Sequence, residues 1–249
     1  AIRVISSIAH DVKALGVPAS MTDLVEKKSG LILITGPTGS GKSTTMAALI
    51  DHINRTKHSN IITIEDPIEY VFVDRKSTIS QREIGSDATS MSEALKGTLR
   101  QDPDLIIIGE MRDYETISAA LTAAETGHLV ISTLHTADAK SSIDRIVDVF
   151  PLAAKEQVRV QLSESLVAVL SQKLVQRADK SGRIAVCELM VNSPTIQTLI
   201  RKSEFEKIPE AMSNSNTYYN MRTFNQEFER LVDAGIIRQE EALSTSNAP

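Results

Sequence analysis

Residues Gly36-Pro37-Thr38-Gly39-Ser40-Gly41-Lys42-Ser43 fit the pattern G-x-x-x-x-G-K-[ST] at every constrained position, and no other stretch limits the fold as strongly. Gly30-Leu31-Ile32-Leu33-Ile34-Thr35 before it is a short apolar run that reads as a buried strand. The run from Thr44 to Ile53 after it, with apolar residues at 46, 49, 50 and 53, reads as a helix. Strand, glycine loop and helix in that order make a phosphate cradle: the glycines let successive N–H groups turn inward, and the helix N-terminus adds its positive end. Gly36, Pro37, Thr38, Gly39, Ser40, Gly41, Lys42, Ser43 and Thr44 are therefore expected to contact a nucleoside triphosphate such as ATP. Lys42 is expected to reach the β and γ phosphates, and the Ser43 hydroxyl to ligate Mg²⁺.

The bulk properties narrow the partners. Lys and Arg number 27 against 32 Asp and Glu, for a net charge of −5, and a general nucleic-acid groove would bring a basic surplus instead. The single cysteine, Cys187, excludes an internal disulfide and a paired-cysteine zinc site. Apolar runs such as 105–108 are far too short to span a membrane, and the N-terminus lacks a signal-peptide core, so a cytoplasmic protein is expected. With few aromatics and a supply of Ile, Val, Leu and Ala, the chain reads as α/β, with a mostly parallel sheet and a small helical C-terminal domain.

Two acidic strand tips follow the glycine loop. Asn60-Ile61-Ile62-Thr63-Ile64 is a β-branched strand ending in Glu65-Asp66-Pro67-Ile68-Glu69-Tyr70, at the end of the strand where parallel sheets bind ligands. Glu69 is the candidate for orienting and deprotonating the attacking water. Leu105-Ile106-Ile107-Ile108-Gly109-Glu110 is a second buried strand, and Glu110 at its tip occupies the place of a carboxylate that holds Mg²⁺; with Gly109 where an Asp is common, that contact is expected through water. The strand 129–134 carries His128 before it and His135 after it, and His135 is the candidate sensor of the γ phosphate.

The remaining chain divides into three expected units. Residues 1–5 read as a strand without partners and the chain opens on Ala, so 1–19 are expected to be the end of an N-terminal domain and a linker, with a short helix following from Ser20. Residues 20–191 form the nucleotide-binding core, and 192–249 the helical tail, with 244–249 expected to be disordered. Within the core, 71–73 and 77–81 suggest a small hairpin flanked by Arg75 and Arg82. Helices are expected over 90–100 and 114–125. Val158, Leu162, Leu166, Val169, Leu170 and Leu174 suggest one long amphipathic helix, and 183–191 a last strand.

Taken together, the loop 36–44, the acidic box Thr63-Ile64-Glu65-Asp66-Pro67-Ile68-Glu69, the run Ile107-Ile108-Gly109-Glu110-Met111-Arg112-Asp113 and the histidine segment from Glu125-Thr126-Gly127-His128 to Leu134-His135-Thr136 resemble the secretion ATPase superfamily, most closely the type IV pilus retraction motors (twitching-motility, PilT-like ATPases). The resemblance implies a RecA-like core, a homo-hexameric ring with ATP between subunits, and work against a platform protein at the inner-membrane base of the pilus machine. By position, Lys42 and Ser43 resemble the phosphate-loop pair, Glu69 the catalytic glutamate, Glu110 the Walker B glutamate, and His128 and His135 the His-box residues. The arginine fingers of such motors come from a neighbouring N-terminal domain. The assembly motors carry a tetracysteine insertion that one cysteine excludes. The helix Thr195-Ile196-Gln197-Thr198-Leu199-Ile200-Arg201-Lys202 differs from the retraction motors' pattern at Gln197 and Lys202. A ring subunit accessory to a paralogous motor ATPase, a related secretion motor and a nucleic-acid translocase are the alternatives.

Overall fold

The computed structural model describes residues 11–246. The expected strand at 1–5 lies outside that range. In chain order the elements are α1 (Ser20–Leu24), β1 (Gly30–Thr35), α2 (Lys42–Thr56), β2 (Asn60–Glu65), β3 (Thr78–Glu83), α3 (Met91–Thr98), β4 (Leu105–Ile108), α4 (Tyr114–Glu125), β5 (Leu129–Leu134), α5 (Ala139–Asp148), α6 (Lys155–Ser165), β6 (Leu166–Gln176), β7 (Arg183–Val191), α7 (Pro194–Arg201), α8 (Ile208–Ser213), α9 (Asn216–Tyr219), α10 (Phe224–Asp233) and α11 (Gln239–Thr245).

The seven strands form one sheet in the order β3-β2-β4-β5-β1-β6-β7. Neighbours are parallel except β6 with β7. The α/β class and mostly parallel sheet expected from the sequence are what the chain adopts. Strands β1, β4 and β5 are buried along their whole length, because helices cover both faces of the sheet. Alternate residues of β1 face opposite ways: Leu31 and Leu33 join a core with α3 to α8, while Ile32 and Ile34 join a second core with α1 and α2. Helices α10 and α11 make a smaller cluster with Val175 and Val186 at the β6 and β7 edge. Among the described residues, no helix is long and apolar enough to cross a membrane.

Three local expectations are corrected. The long helix drawn from Val158 to Leu174 ends at Ser165, and Leu166–Gln176 is the strand β6 beside β1. The Asn192 side-chain amide donates to the carbonyls of Ser163 and Leu166, both at 2.8 Å, so the helix end is capped from a distant part of the chain. There is no hairpin at 71–81: β3 lies parallel to β2 in the register Asn60 to Thr78 through Glu65 to Glu83, and 71–73 is loop. The tail is ordered further than expected, since Ser244 and Thr245 belong to α11. Helices α8 and α9, by contrast, left no clear period in the sequence.

Candidate active site

The parallel register brings four strand ends to one edge. Thr35 of β1 lies beside Leu134 of β5, Ser132 of β5 beside Ile108 of β4, and Ile108 beside Ile64 of β2. The segments that leave those ends, beginning at Gly36, His135, Gly109 and Asp66, therefore line a single cleft of ≈ 860 Å³. Thr133 Oγ1 donates to the Gly109 carbonyl at 2.6 Å and Ser132 Oγ to that of Ile108 at 2.9 Å, which fixes the β4 and β5 tips against each other.

The phosphate loop has the conformation its glycines predict. Gly41 caps α2 with φ +96°, and Gly36 has φ +141°. A Cβ on Gly36 would sit 2.3 Å from the Gln172 carbonyl oxygen of β6 and 2.6 Å from Ser40 Oγ, so only glycine fits. Lys42 is buried, and its Nζ donates to the carbonyls of Gly36 at 2.8 Å and Pro37 at 3.0 Å. Burial lowers its pKa, opposed by the carboxylates of Glu110 and Glu69. Ser43 lines the cleft beside it. Thr44 Oγ1 meets the Tyr70 hydroxyl at 3.0 Å, joining the helix to the acidic box.

Glu110 is held from both sides. Arg112 Nη2 lies 2.8 Å from its Oε2 and His135 Nε2 lies 3.3 Å from its Oε1. Burial alone would raise this carboxyl, but the hydrogen bond from Arg112 and the nearby charges of His135, Arg112 and Lys42 bring it below its ordinary value. The other ring nitrogen of His135, Nδ1, is 3.5 Å from Thr38 Oγ1, so this histidine spans from the phosphate loop to Glu110. Glu65 is buried and accepts from Thr63 Oγ1 at 2.7 Å and Gln81 Nε2 at 3.1 Å; burial raises its pKa. Glu69 lines the same cleft.

His128 is not in this cleft. Its carbonyl accepts from Gly30 N at 3.1 Å, which puts it at the opposite edge of the sheet, and its ring Nδ1 is within 3.2 Å of the Ala123 carbonyl. The expectation that it contacts nucleotide is corrected for the cleft of its own chain: the length of β5 keeps it seven residues from His135, about 23 Å at ~3.3 Å per residue. Arg75 and Arg82 are also elsewhere, Arg75 paired with Asp51 at 3.7 Å and Arg82 bonded to Gln101 Oε1 at 2.6 Å. Sequence reasoning assigned no role to Tyr70, Arg112 or Arg183, all three of which line the cleft. Tyr70 and Arg112 stand within two residues of assigned glutamates and could have been found there. Arg183 arrives on β7, expected as a strand over 183–191, but no local signal tells that it pairs antiparallel to β6 and so returns its first residue to the cleft.

Comparison with known proteins gives the family and the fold. The sequence profile of the type II/IV secretion system protein family matches residues 1–244. The chain belongs to that family. It is 48% identical over 240 residues to a twitching motility protein of Neisseria gonorrhoeae, covering 96% of this chain and 64% of that one. It is 46% identical over 247 residues to the type IV pilus retraction ATPase PilT of Pseudomonas aeruginosa, covering 99% and 71%. The fold matches the crystal structure of the pilus retraction motor PilT with bound ADP at a TM-score of 0.93 and 47% identity, over 99% of this chain and 70% of that one. This type II/IV secretion family chain thus spans about two thirds of the length of the relatives it matches.

Proposed function

We propose that the chain is the ATPase portion of a type IV pilus retraction motor, hydrolysing Mg-ATP to ADP and phosphate in the cleft at the ends of β1, β2, β4 and β5. The observation that carries this reading is the convergence of Lys42, Glu69 and Glu110 on one cleft, where both carboxylates bear on the lysine's charge. The phosphate-loop amides and Lys42 bind the β and γ phosphates, Lys42 exchanging its two carbonyl partners for phosphate oxygens. Glu69 accepts a proton from the attacking water while the water oxygen bonds to the γ phosphorus and the bridge to the β phosphate breaks. His135, in reach of both Thr38 and Glu110, reports whether the γ phosphate is present.

Ser43 and Glu110 would hold Mg²⁺, Glu110 through water. Among the described residues no group of three or more His, Cys, Asp or Glu side chains could hold a metal unaided. One hydroxyl and one carboxylate, completed by water and phosphate oxygens, suit an ion that keeps much of its hydration shell. When bound, Mg²⁺ neutralises charge on the β and γ phosphates.

The working form in this proposal is a cytoplasmic homo-hexamer at the inner-membrane base of the pilus, acting on a platform protein and working beside a paralogous motor ATPase. His128, at the sheet edge remote from its own cleft, then serves the site of a neighbouring copy. Steady-state Mg-ATP turnover of the full-length protein, measured against its own concentration, tests the reading. Activity per chain should rise as subunits assemble, and Lys42→Ala or Glu69→Ala should lower it by about 100-fold or more. Wild-type turnover in both variants would sink the assignment. Tight DNA binding at physiological salt, which the net charge of −5 speaks against, would favour a translocase instead.

A further inference from the structure

The strand β2 is third from β1 in the sheet, so its tip lies about 14 Å from the phosphate loop at ~4.8 Å per strand. The loop 66–77 must cross that gap to deliver Glu69, and loops that carry chemistry need a rigid support. The support here is the edge strand β3. Gln81 Nε2 donates to the Tyr70 carbonyl at 2.8 Å and to Glu65 Oε1 at 3.1 Å, while Gln81 Oε1 accepts from Phe72 N at 3.0 Å. Two residues on, Glu83 Oε2 accepts from Ile68 N at 3.0 Å.

Residues 81 and 83 project from the same side of β3, and between them they fix the backbone immediately before and immediately after Glu69. The Gln81 amide has one consistent orientation, because a flip would set its oxygen against two acceptors and its nitrogen against a donor. The far side of the loop is tied to α2, through Tyr70 to Thr44 and through Asn54 Nδ2 to the Val73 carbonyl at 2.9 Å.

We propose that Gln81, seconded by Glu83, is the positioning residue that aims Glu69 at the attacking water. This rests on the ATPase reading above. Neither side chain needs to touch nucleotide: β3 sets the height and direction of the loop over the cleft, and Glu69 inherits both.

The test uses the full-length protein. Gln81→Met keeps the length of the side chain and removes its hydrogen bonds; kcat should fall by about 10- to 100-fold while KM and the affinity for a fluorescent ATP analogue stay within about twofold. Amide exchange at residues 68–72 should quicken in the same variant. Glu83→Gln retains a carbonyl acceptor for Ile68 N and should keep kcat within about threefold, whereas Glu83→Ala should not. Adding Gln81→Met to Glu69→Ala should cost nothing further, since both act through one group. If Gln81→Met turns over within about twofold of wild type while Glu69→Ala is inactive, the inference is overturned and the ATPase reading stands. A loss of kcat matched by an equal loss of nucleotide affinity and melting temperature gives Gln81 a role in folding alone and also overturns it. If Glu69→Ala turns over like wild type, reading and inference fall together.

Discussion

Glu188 on β7 couples stability to pH in a way that can be worked through. Its carboxylate is 8% exposed and accepts two backbone N–H groups, Ala139 at the start of α5 at 2.9 Å and Phe224 at the start of α10 at 3.3 Å. Burial raises its pKa from 4.5 to about 7, opposed by those two donors and by Lys173, and reinforced by Asp138. Between pH 4.5 and 7 the unfolded chain has released this proton and the folded chain still holds it. The group's stabilising share is therefore complete below the unfolded value and is lost as pH rises through the folded one. The gap between 4.5 and about 7, at about 1.36 kcal/mol per pH unit, comes to about 3 kcal/mol, of which about 2.5 falls between pH 5 and 8. Gln is neutral throughout and shaped like the protonated acid, so Glu188→Gln should gain on wild type by about that amount across the interval. In thermal terms the gain is about 5–10 °C in Tm for a chain of this size. Urea unfolding of both proteins, followed by far-ultraviolet circular dichroism from pH 5 to 8, measures it. A difference between them that does not change with pH would refute the reasoning.

Other expectations are direct. Gly36→Ala forces φ +141° on an alanine and drives its Cβ into the Gln172 carbonyl, so it should cost about 1–3 kcal/mol in backbone strain alone. Gly39→Ala, with φ +80° and open space around the new Cβ, should cost about 1–2 kcal/mol; equal melting temperatures for the two would contradict the geometry. Cys187 is fully buried, its thiol pushed up to about 12 by burial, so a thiol reagent should label it only at the rate of global unfolding. In a titration of the monomeric protein with a fluorescent nucleotide, His135→Ala should shift the affinity and His128→Ala should leave it unchanged, because only the former lines the cleft.

Much of the site was legible because its residues are close in sequence to what they act with. Gly36 to Ser43 form one loop, and Glu69, Glu110 and His135 each follow a strand whose apolar run is plain. The errors arose where a distant partner decides the local structure. Val158, Leu162, Leu166, Leu170 and Leu174 continue a four-residue spacing straight through the junction at Ser165, so the helical period persists in a stretch that is half strand. The stop comes from Asn192, 26 residues beyond Leu166, and from the pairing of β6 with β1. The supposed hairpin failed for the same reason: Val73 is 74% exposed, and its segment is fastened by Gln81, Glu83 and Asn54 rather than by strand pairing. His128 looked like a partner of His135 because a strand brings them within seven positions in sequence, yet the same strand, being straight, keeps them apart.

That separation makes β5 a ruler. It is buried throughout and hydrogen-bonded to β4 on one side and β1 on the other, so it can neither bend nor slide by a residue without breaking both ladders. One histidine stands at the cleft and the other at the opposite edge of the sheet, and the strand between them sets that span.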